Sequence, residues 1–322
     1  MGRRYLITGG AGFIGSNFVR WVLDHEAEST VTNLDAMTYA GVPATVAELD
    51  ELPGHTFVKG DIRDSDLVEE IVPGHDVIVH FAAESHVDRS IAGPTVFLET
   101  NVVGTGILLD AARRHQVPRF MHVSTDEVYG SVAAGFASES APLDPSSPYS
   151  SSKAGSDLLA LSYTATFGYD VVVSRCTNNY GPYQFPEKVI PLFVTNLLEG
   201  KPVPLYGDGS NERDWLHVDD HNAALHLLVD EGVGGQIYNI GAGEQLSNLN
   251  LTHRILEAVG ADESMIEYVS DRLGHDLRYA VDSSKLRSLG WQPQHDFSER
   301  LGETVDWYRA REDWWRPLKE HS

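Results

Sequence analysis

The sequence predicts an α/β fold: a doubly wound parallel sheet with a smaller C-terminal α/β lobe. Three observations carry this. Short apolar runs alternate with longer amphipathic ones through the first half of the chain. The short runs are apolar at almost every position, as strands covered on both faces must be. The first run passes through a glycine-rich loop straight into a helical pattern, a connection suited to binding an anion at a helix N-terminus.

In chain order, RYLIT (4–8), TVTNLD (30–35), HTFVKGDI (55–62), DVIVHFAA (76–83), RFMHVS (119–124) and DVVVSRC (170–176) read as strands. Between them, 13–24, 94–115 and 148–167 carry helical periodicity. The pattern weakens after about Gly181. VPLYG and QIYNIG read as strands, 218–230 and 248–259 as helices, and 297–313 as a last helix carrying Leu301, Val305, Trp307 and Tyr308. Without a repeat, low-complexity segment or flexible linker, the chain reads as two lobes sharing an interface. Residues 1–180 form a dinucleotide-binding lobe and 181–322 mainly a substrate lobe, with chain crossings between them allowed.

Composition removes several function classes. Lys plus Arg number 24 against 47 Asp plus Glu, a formal charge of −23. That balance argues against a broad nucleic-acid or anionic-membrane surface, so any anionic ligand needs a local cluster of cations. The lone Cys176 excludes an intramolecular disulfide framework. The 14 histidines show no metal-ligand spacing, and no metal is expected. The N-terminus reads directly as strand and loop rather than signal peptide, and no apolar run approaches the ~20 residues that span a bilayer. A cytoplasmic location is the default expectation.

ITGGAGFIG places Gly9, Gly12 and Gly15 between strand and helix. The first positions allow a tight turn and close approach to a pyrophosphate; the last lets helix and strand pack closely. Asp35 ends the second strand, 20 residues after Gly15, where a carboxylate accepts ribose hydroxyls and repels a 2′-phosphate. The expected cofactor is therefore NAD rather than NADP. GDIRD puts Asp61 and Ile62 beside the adenine, although Asp61 also reads as a turn residue or helix cap. Phe81, Ala82 and Ala83 end the fourth strand beneath the cofactor.

SPYSSSK contains Tyr149 and Lys153, four residues apart and so on one helix face. A phenol with a pKa near ~10 is a poor base at neutral pH. A neighbouring ammonium and a cationic nicotinamide both favour its phenolate. The pair then supplies a base for an alcohol proton.

Five stretches, TGGAGFIG, FAAESHVDRS, STDEVYG, SPYSSSK and NNYGPYQFPEKVIPL, together resemble the extended short-chain dehydrogenase/reductases, and within them the dTDP-glucose 4,6-dehydratases. The resemblance continues through YGDGSNERDWLHVDDH to DRLGHDLRYAVD. It implies a Rossmann-like NAD-binding domain and a nucleotide diphosphate-sugar substrate. The product is a 4-keto-6-deoxy sugar, formed by C4 oxidation, water loss across C5–C6 and reduction at C6. The roles it implies are Tyr149 as base for the 4-hydroxyl, Thr125 as hydrogen-bond partner of the 4-oxygen, Glu127 as base at C5 and Asp126 as acid for the departing 6-hydroxyl. Asp126 must start protonated and Glu127 ionised; two close carboxyls hold one proton between them. Adjacent residues of an extended strand face opposite sides, so the chain must turn here for both to reach one sugar.

The resemblance adds Phe13, Ile14, Thr38, Thr100 and Asn179 on the cofactor side. It puts Ser85, Asn178, Lys188, Val189, Pro204, Tyr206, Arg213, Asn248, Arg272, His275 and Tyr279 on the substrate side, with Arg213 and Arg272 at the diphosphate. A surface salt bridge or helix cap is the bland alternative for each. Glu84, His86, Asp88 and Arg89 also read as a buried polar cluster shaping their loop, and His275–Asp276 lacks the nucleophile motif that a catalytic dyad needs. Family helices matching 94–115 and 148–167 pair into a four-helix bundle, which implies a homodimer. Competing readings are a UDP-sugar 4,6-dehydratase, a 4-epimerase or decarboxylase on the same frame, and a non-catalytic NAD-sensing protein. An epimerase does not need Asp126 and Glu127; a sensor needs none of the five catalytic residues. Thymidine rests on resemblance, with uridine the other base.

Overall fold

A computed structural model describes residues 2–271 and 275–320. Twelve strands are described: β1 (Arg4–Thr8), β2 (Thr30–Asp35), β3 (His55–Lys59), β4 (Val77–His80), β5 (Arg119–Thr125), β6 (Val171–Cys176), β7 (Asn178–Tyr180), β8 (Val203–Tyr206), β9 (Glu212–His217), β10 (Ile237–Ile240), β11 (Gln245–Ser247) and β12 (Ile266–Val269). Seven of them form one parallel sheet in the order β10-β6-β5-β4-β1-β2-β3. This is the predicted doubly wound sheet. Its strand order reverses between β1 and β4, the point at which such sheets bind ligands beyond their carboxyl ends.

Alternate residues of each strand feed cores on opposite faces. Tyr5 and Ile7 join a cluster with Phe18, Val22 and Leu225; Leu6 joins another with Leu108, Leu109 and Phe120. All of these side chains are fully buried, which is why the strands read as continuous apolar runs. A separate core gathers Val42 from the first half of the chain with Phe193, Trp215, Leu251, Tyr308 and Trp315 from the second. β10 leaves that half of the chain to extend the large sheet beside β6, pairing Ile237 with Val173.

Several boundaries differ from the sequence reading. The third and fourth strands end at Lys59 and His80, before the turns that carry Asp61 and Ala82. β7, β9, β11 and β12 were not anticipated, because three-residue strands and polar stretches such as ERDWLH lack clear alternation. The last helix is two, Phe297–Ala310 and Glu312–Glu320, broken at Arg311, whose guanidinium pairs with Glu48 across the lobes. The 94–115 segment contains a wide π turn at Glu99–Gly104. There the buried Asn101 donates to Glu84 O at 3.0 Å and to Ser152 Oγ at 2.8 Å, tying three segments together. Such turns gather at functional sites.

Candidate active site

A cavity of about 340 Å³ opens beyond the carboxyl ends of the large sheet. Every cofactor-side position named from the sequence lines it, from Gly9 and Gly12 through Asp35, Asp61, Phe81 and Thr100 to Asn179. So do Thr125, Asp126, Glu127, Tyr149 and Lys153, with Ser85, Asn178 and Lys188 from the substrate side.

The glycine loop makes a cradle that side chains would fill. Gly9 has φ of +76°, and a Cβ there would lie 2.6 Å from Ala82 N. A Cβ on Gly15 would lie 2.3 Å from Gly9 O. Backbone can therefore approach a pyrophosphate at the start of the helix Phe13–His25. Asp35 is held by Ala11 N at 3.0 Å and Met37 N at 2.8 Å. Burial raises its pKa and the two amides oppose the rise. This is a fixed carboxylate at the end of β2, the acceptor that a ribose diol needs. Asp61 is grasped by Arg63, whose Nε donates at 3.0 Å to both carboxylate oxygens. The cap of the next helix is Asp64 instead. The residues present thus fit a dinucleotide.

β5 ends at Thr125, and the chain turns at once into a single 3₁₀ turn, Asp126–Tyr129. Thr125 caps this turn: its Oγ1 accepts from Glu127 N at 3.2 Å and donates to Asp126 Oδ1 at 3.3 Å. That turn brings both carboxyls to one cavity. Asp126 is 3% exposed, and its Oδ2 has no hydrogen-bond partner among the described residues. Burial first, then Glu127 and Asp214, push its pKa well above the usual carboxyl range. Its surroundings therefore favour the protonated form of Asp126, beside a more accessible Glu127.

Tyr149 opens the helix Pro148–Phe167, and its phenol lies within hydrogen-bonding reach of Thr125. Burial, followed by Glu127, lifts the Tyr149 pKa well above the ordinary phenol value. One turn on, Lys153 Nζ donates to Val123 O at 2.9 Å. Burial lowers the ammonium pKa, and Asp157 opposes that. Asp157 also accepts from Arg175 Nε at 2.8 Å, and Arg175 lies 4.8 Å from the centre of the Tyr129 ring. This buried pair braces the Tyr149–Lys153 helix against the turn that bears the two acids.

Other expected residues lie outside the cavity lining. Val189, Pro204, Tyr206 and Asn248 belong to the second lobe. Arg213 is buried, donates to Glu212 O at 2.7 Å and Asp276 O at 2.9 Å, and lies 4.2 Å from the Tyr279 ring. Its charge and that of Glu127 act on Asp126 and Tyr279 respectively, so this part of the lobe adjoins the acids. His275 pairs with Asp271 at 2.7 Å. Arg272 lies outside the described residues. Asp88 and Arg89 are exposed, which corrects the idea of a buried 84–89 cluster. Tyr39, Phe185 and Glu187 line the cavity without having been singled out; Phe185 and Glu187 stood within the quoted NNYGPYQFPEKVIPL, whereas Tyr39 had no motif of its own. Elsewhere, ligand atoms of His217, Asp219 and His295 lie within 4.8 Å of one another. The Arg300 guanidinium already puts a cation there, its Nη2 lying 3.0 and 3.2 Å from the two His295 ring nitrogens.

Residues 6–304 match the GDP-mannose 4,6 dehydratase family. The chain is 52% identical to the dTDP-glucose 4,6-dehydratase of Streptomyces niveus over 98% of this chain and 96% of that one. It is 54% identical to the dTDP-glucose 4,6-dehydratase of Streptomyces antibioticus over 98% and 95%. Among solved structures, DesIV (dTDP-glucose 4,6-dehydratase) from Streptomyces venezuelae with NAD and TYD bound superposes with a TM-score of 0.95 at 55% identity, over 98% of this chain and 99% of that one. UDP-glucose 4-epimerase from Thermus thermophilus in complex with NAD gives 0.88 at 33% identity, over 96% and 99%.

Proposed function

Because the chain belongs to the dTDP-glucose 4,6-dehydratase family of extended short-chain dehydrogenase/reductases, we propose that its cavity converts dTDP-glucose to dTDP-4-keto-6-deoxyglucose by removing water. The observation that carries this reading is the buried Asp126 beside Glu127, both lining the same cavity as Tyr149. Oxidation alone, or epimerisation, has no use for a second acid–base pair.

The glycine cradle, Asp35, Asp61 and the 81–83 segment hold NAD. When bound there, NAD would supply the acceptor for the C4 hydride, the source of the hydride for C6 and a positive charge that favours the phenolate. Tyr149 takes the 4-hydroxyl proton, and Thr125 holds the 4-oxygen as it becomes a ketone. Lys153, fixed by Val123 O, keeps a positive charge under this pair. The ketone acidifies C5–H, and Glu127 removes that proton. Asp126 then gives its proton to the 6-hydroxyl, which leaves as water, and protonated Glu127 returns a proton to C5 as the hydride reaches C6. The buried Oδ2, without a hydrogen-bond partner among the described residues, supports this role, because it gains one when the sugar oxygen arrives.

Ser85, Asn178 and Lys188 meet the sugar and diphosphate; Arg213, Tyr279 and the second-lobe residues take the diphosphate and nucleoside. Residues 1–180 serve the cofactor and 181–322 mainly the nucleotide, with β10 crossing back. Ile91, Leu98, Val103 and Leu158 expose 45–59% of their surface on neighbouring helices, an apolar face that supports a homodimer. No described helix is long and apolar enough to cross a membrane, and the working location we assign is the cytoplasm. Incubation with dTDP-glucose and UDP-glucose, with product masses read, tests the reading. Loss of one water from dTDP-glucose is expected; a product of unchanged mass with an inverted C4 overturns it, and preference for UDP-glucose overturns the base assignment.

A further inference from the structure

Three loops wall the cavity from separate parts of the chain, and their rims touch. One follows β2 and carries Tyr39; one follows β4 and leads into the helix Val87–Ala92; the third follows β7 and carries Phe185, Glu187 and Lys188. Their roots are anchored by buried polar contacts. Asp35 holds the first loop through Met37 N. Asn101 clasps Glu84 N at 2.8 Å and Glu84 O at 3.0 Å. Gln184 donates to Asn179 O at 2.9 Å while its own carbonyl accepts from Tyr308 Oη at 2.5 Å.

The rims are joined by looser contacts. The Arg89 guanidinium lies 3.7 Å from the centre of the Tyr39 ring. Tyr39 meets Phe185 edge-on, with centroids 6.0 Å apart. Glu187 Oε2 is 3.5 Å from His86 Nε2 and 4.0 Å from Arg89, and Lys188 Nζ donates to Ser85 O at 3.5 Å. Each loop therefore touches both of the others. Arg89 is the outermost piece, with 47% of its side chain exposed against 12% for Glu187.

We propose that Arg89 and Tyr39, steadied by Glu187, form a latch that retains NAD through the turnover. The inference rests on the dehydratase reading. There the cofactor is reduced and reoxidised on one sugar, and a cofactor lost in between would strand the ketone. An enzyme that exchanges its cofactor every cycle gains nothing from such a closure. The latch consists of an exposed cation–π contact and long ion pairs, which open without disturbing the buried roots.

The test follows release of adenine-labelled NAD from purified holoprotein diluted into excess unlabelled NAD, by rapid filtration. Arg89→Met and Tyr39→Leu are each expected to speed release roughly two- to fivefold, the range for loss of an exposed cation–π contact. The double variant is expected to fall well short of the product of the two single effects, because both changes remove the shared Arg89–Tyr39 contact. Arg89→Lys should recover part of the retention. Single variants that release NAD at the wild-type rate, or effects that multiply in the double variant, overturn the latch alone. Wild-type protein that holds no NAD overturns the dinucleotide reading and the latch with it.

Discussion

Replacing Asp126 with asparagine is expected to raise stability and lower activity together. The carboxyl is buried, one of its oxygens lacks a partner among the described residues, and Glu127 and Asp214 add negative charge nearby. Its folded pKa is therefore raised well above the ordinary 3.8. In the window between those two values the unfolded chain gives up this proton while the folded protein keeps it. Stability consequently falls as pH rises through the window, and the loss stops growing above the folded value. Each pH unit costs at most about 1.4 kcal/mol, so at about pH 6 the cost reaches at most about 3 kcal/mol. Asparagine keeps the shape and carries no such proton. Urea denaturation of both proteins between about pH 4 and pH 8 should show a difference that widens with pH in favour of the variant. Its value at the acid end reflects the amide's own contacts. Single-turnover water loss should meanwhile slow by ~10²–10⁴, the usual cost of a missing general acid. A difference that stays flat with pH refutes the electrostatic argument, and water loss at the wild-type rate refutes the catalytic one.

Glu127→Gln should permit oxidation at C4 but stop exchange of the C5 hydrogen with solvent deuterium, so a 4-keto-glucose nucleotide accumulates. Tyr149→Phe should produce neither ketone nor exchange; exchange at the wild-type rate in either variant removes the role given to that residue. Asp35→Ser should weaken NAD binding and narrow its margin over NADP, and a calorimetric titration in which the margin is unchanged counts against the ribose assignment. Asp214, buried with its pKa pushed up to about 6, costs stability that accumulates as pH rises from the ordinary 3.8 to about 6. Asp214→Asn should therefore gain up to about 3 kcal/mol above that window, read from the same denaturation series; equal gain at acid pH would show another origin.

Local chemistry determined much of this protein from sequence alone. The glycine spacing and Asp35 belong to one strand–loop–helix–strand unit, so turn geometry and periodicity suffice to read them. Tyr149 and Lys153 share a face because they sit four apart on one helix, and continuous apolar strands demand cover on both sides of a parallel sheet. Tertiary structure decided what depends on distant segments. The short polar strands β7, β9 and β11 exist because neighbours supply their hydrogen bonds, not because their side chains alternate. β10 joins the large sheet because β6 offers an open edge, which no local pattern records. The final helix breaks at Arg311, whose guanidinium meets Glu48, far away in sequence. The Asp126 carboxyl is pushed toward its protonated form because segments that also bring Asp214 and Glu127 near it strip away its water, and ionisation follows burial rather than residue type. Tyr39, Arg89 and Glu187 meet for the same reason: loops at the ends of separate strands converge only once the sheet has ordered those strands.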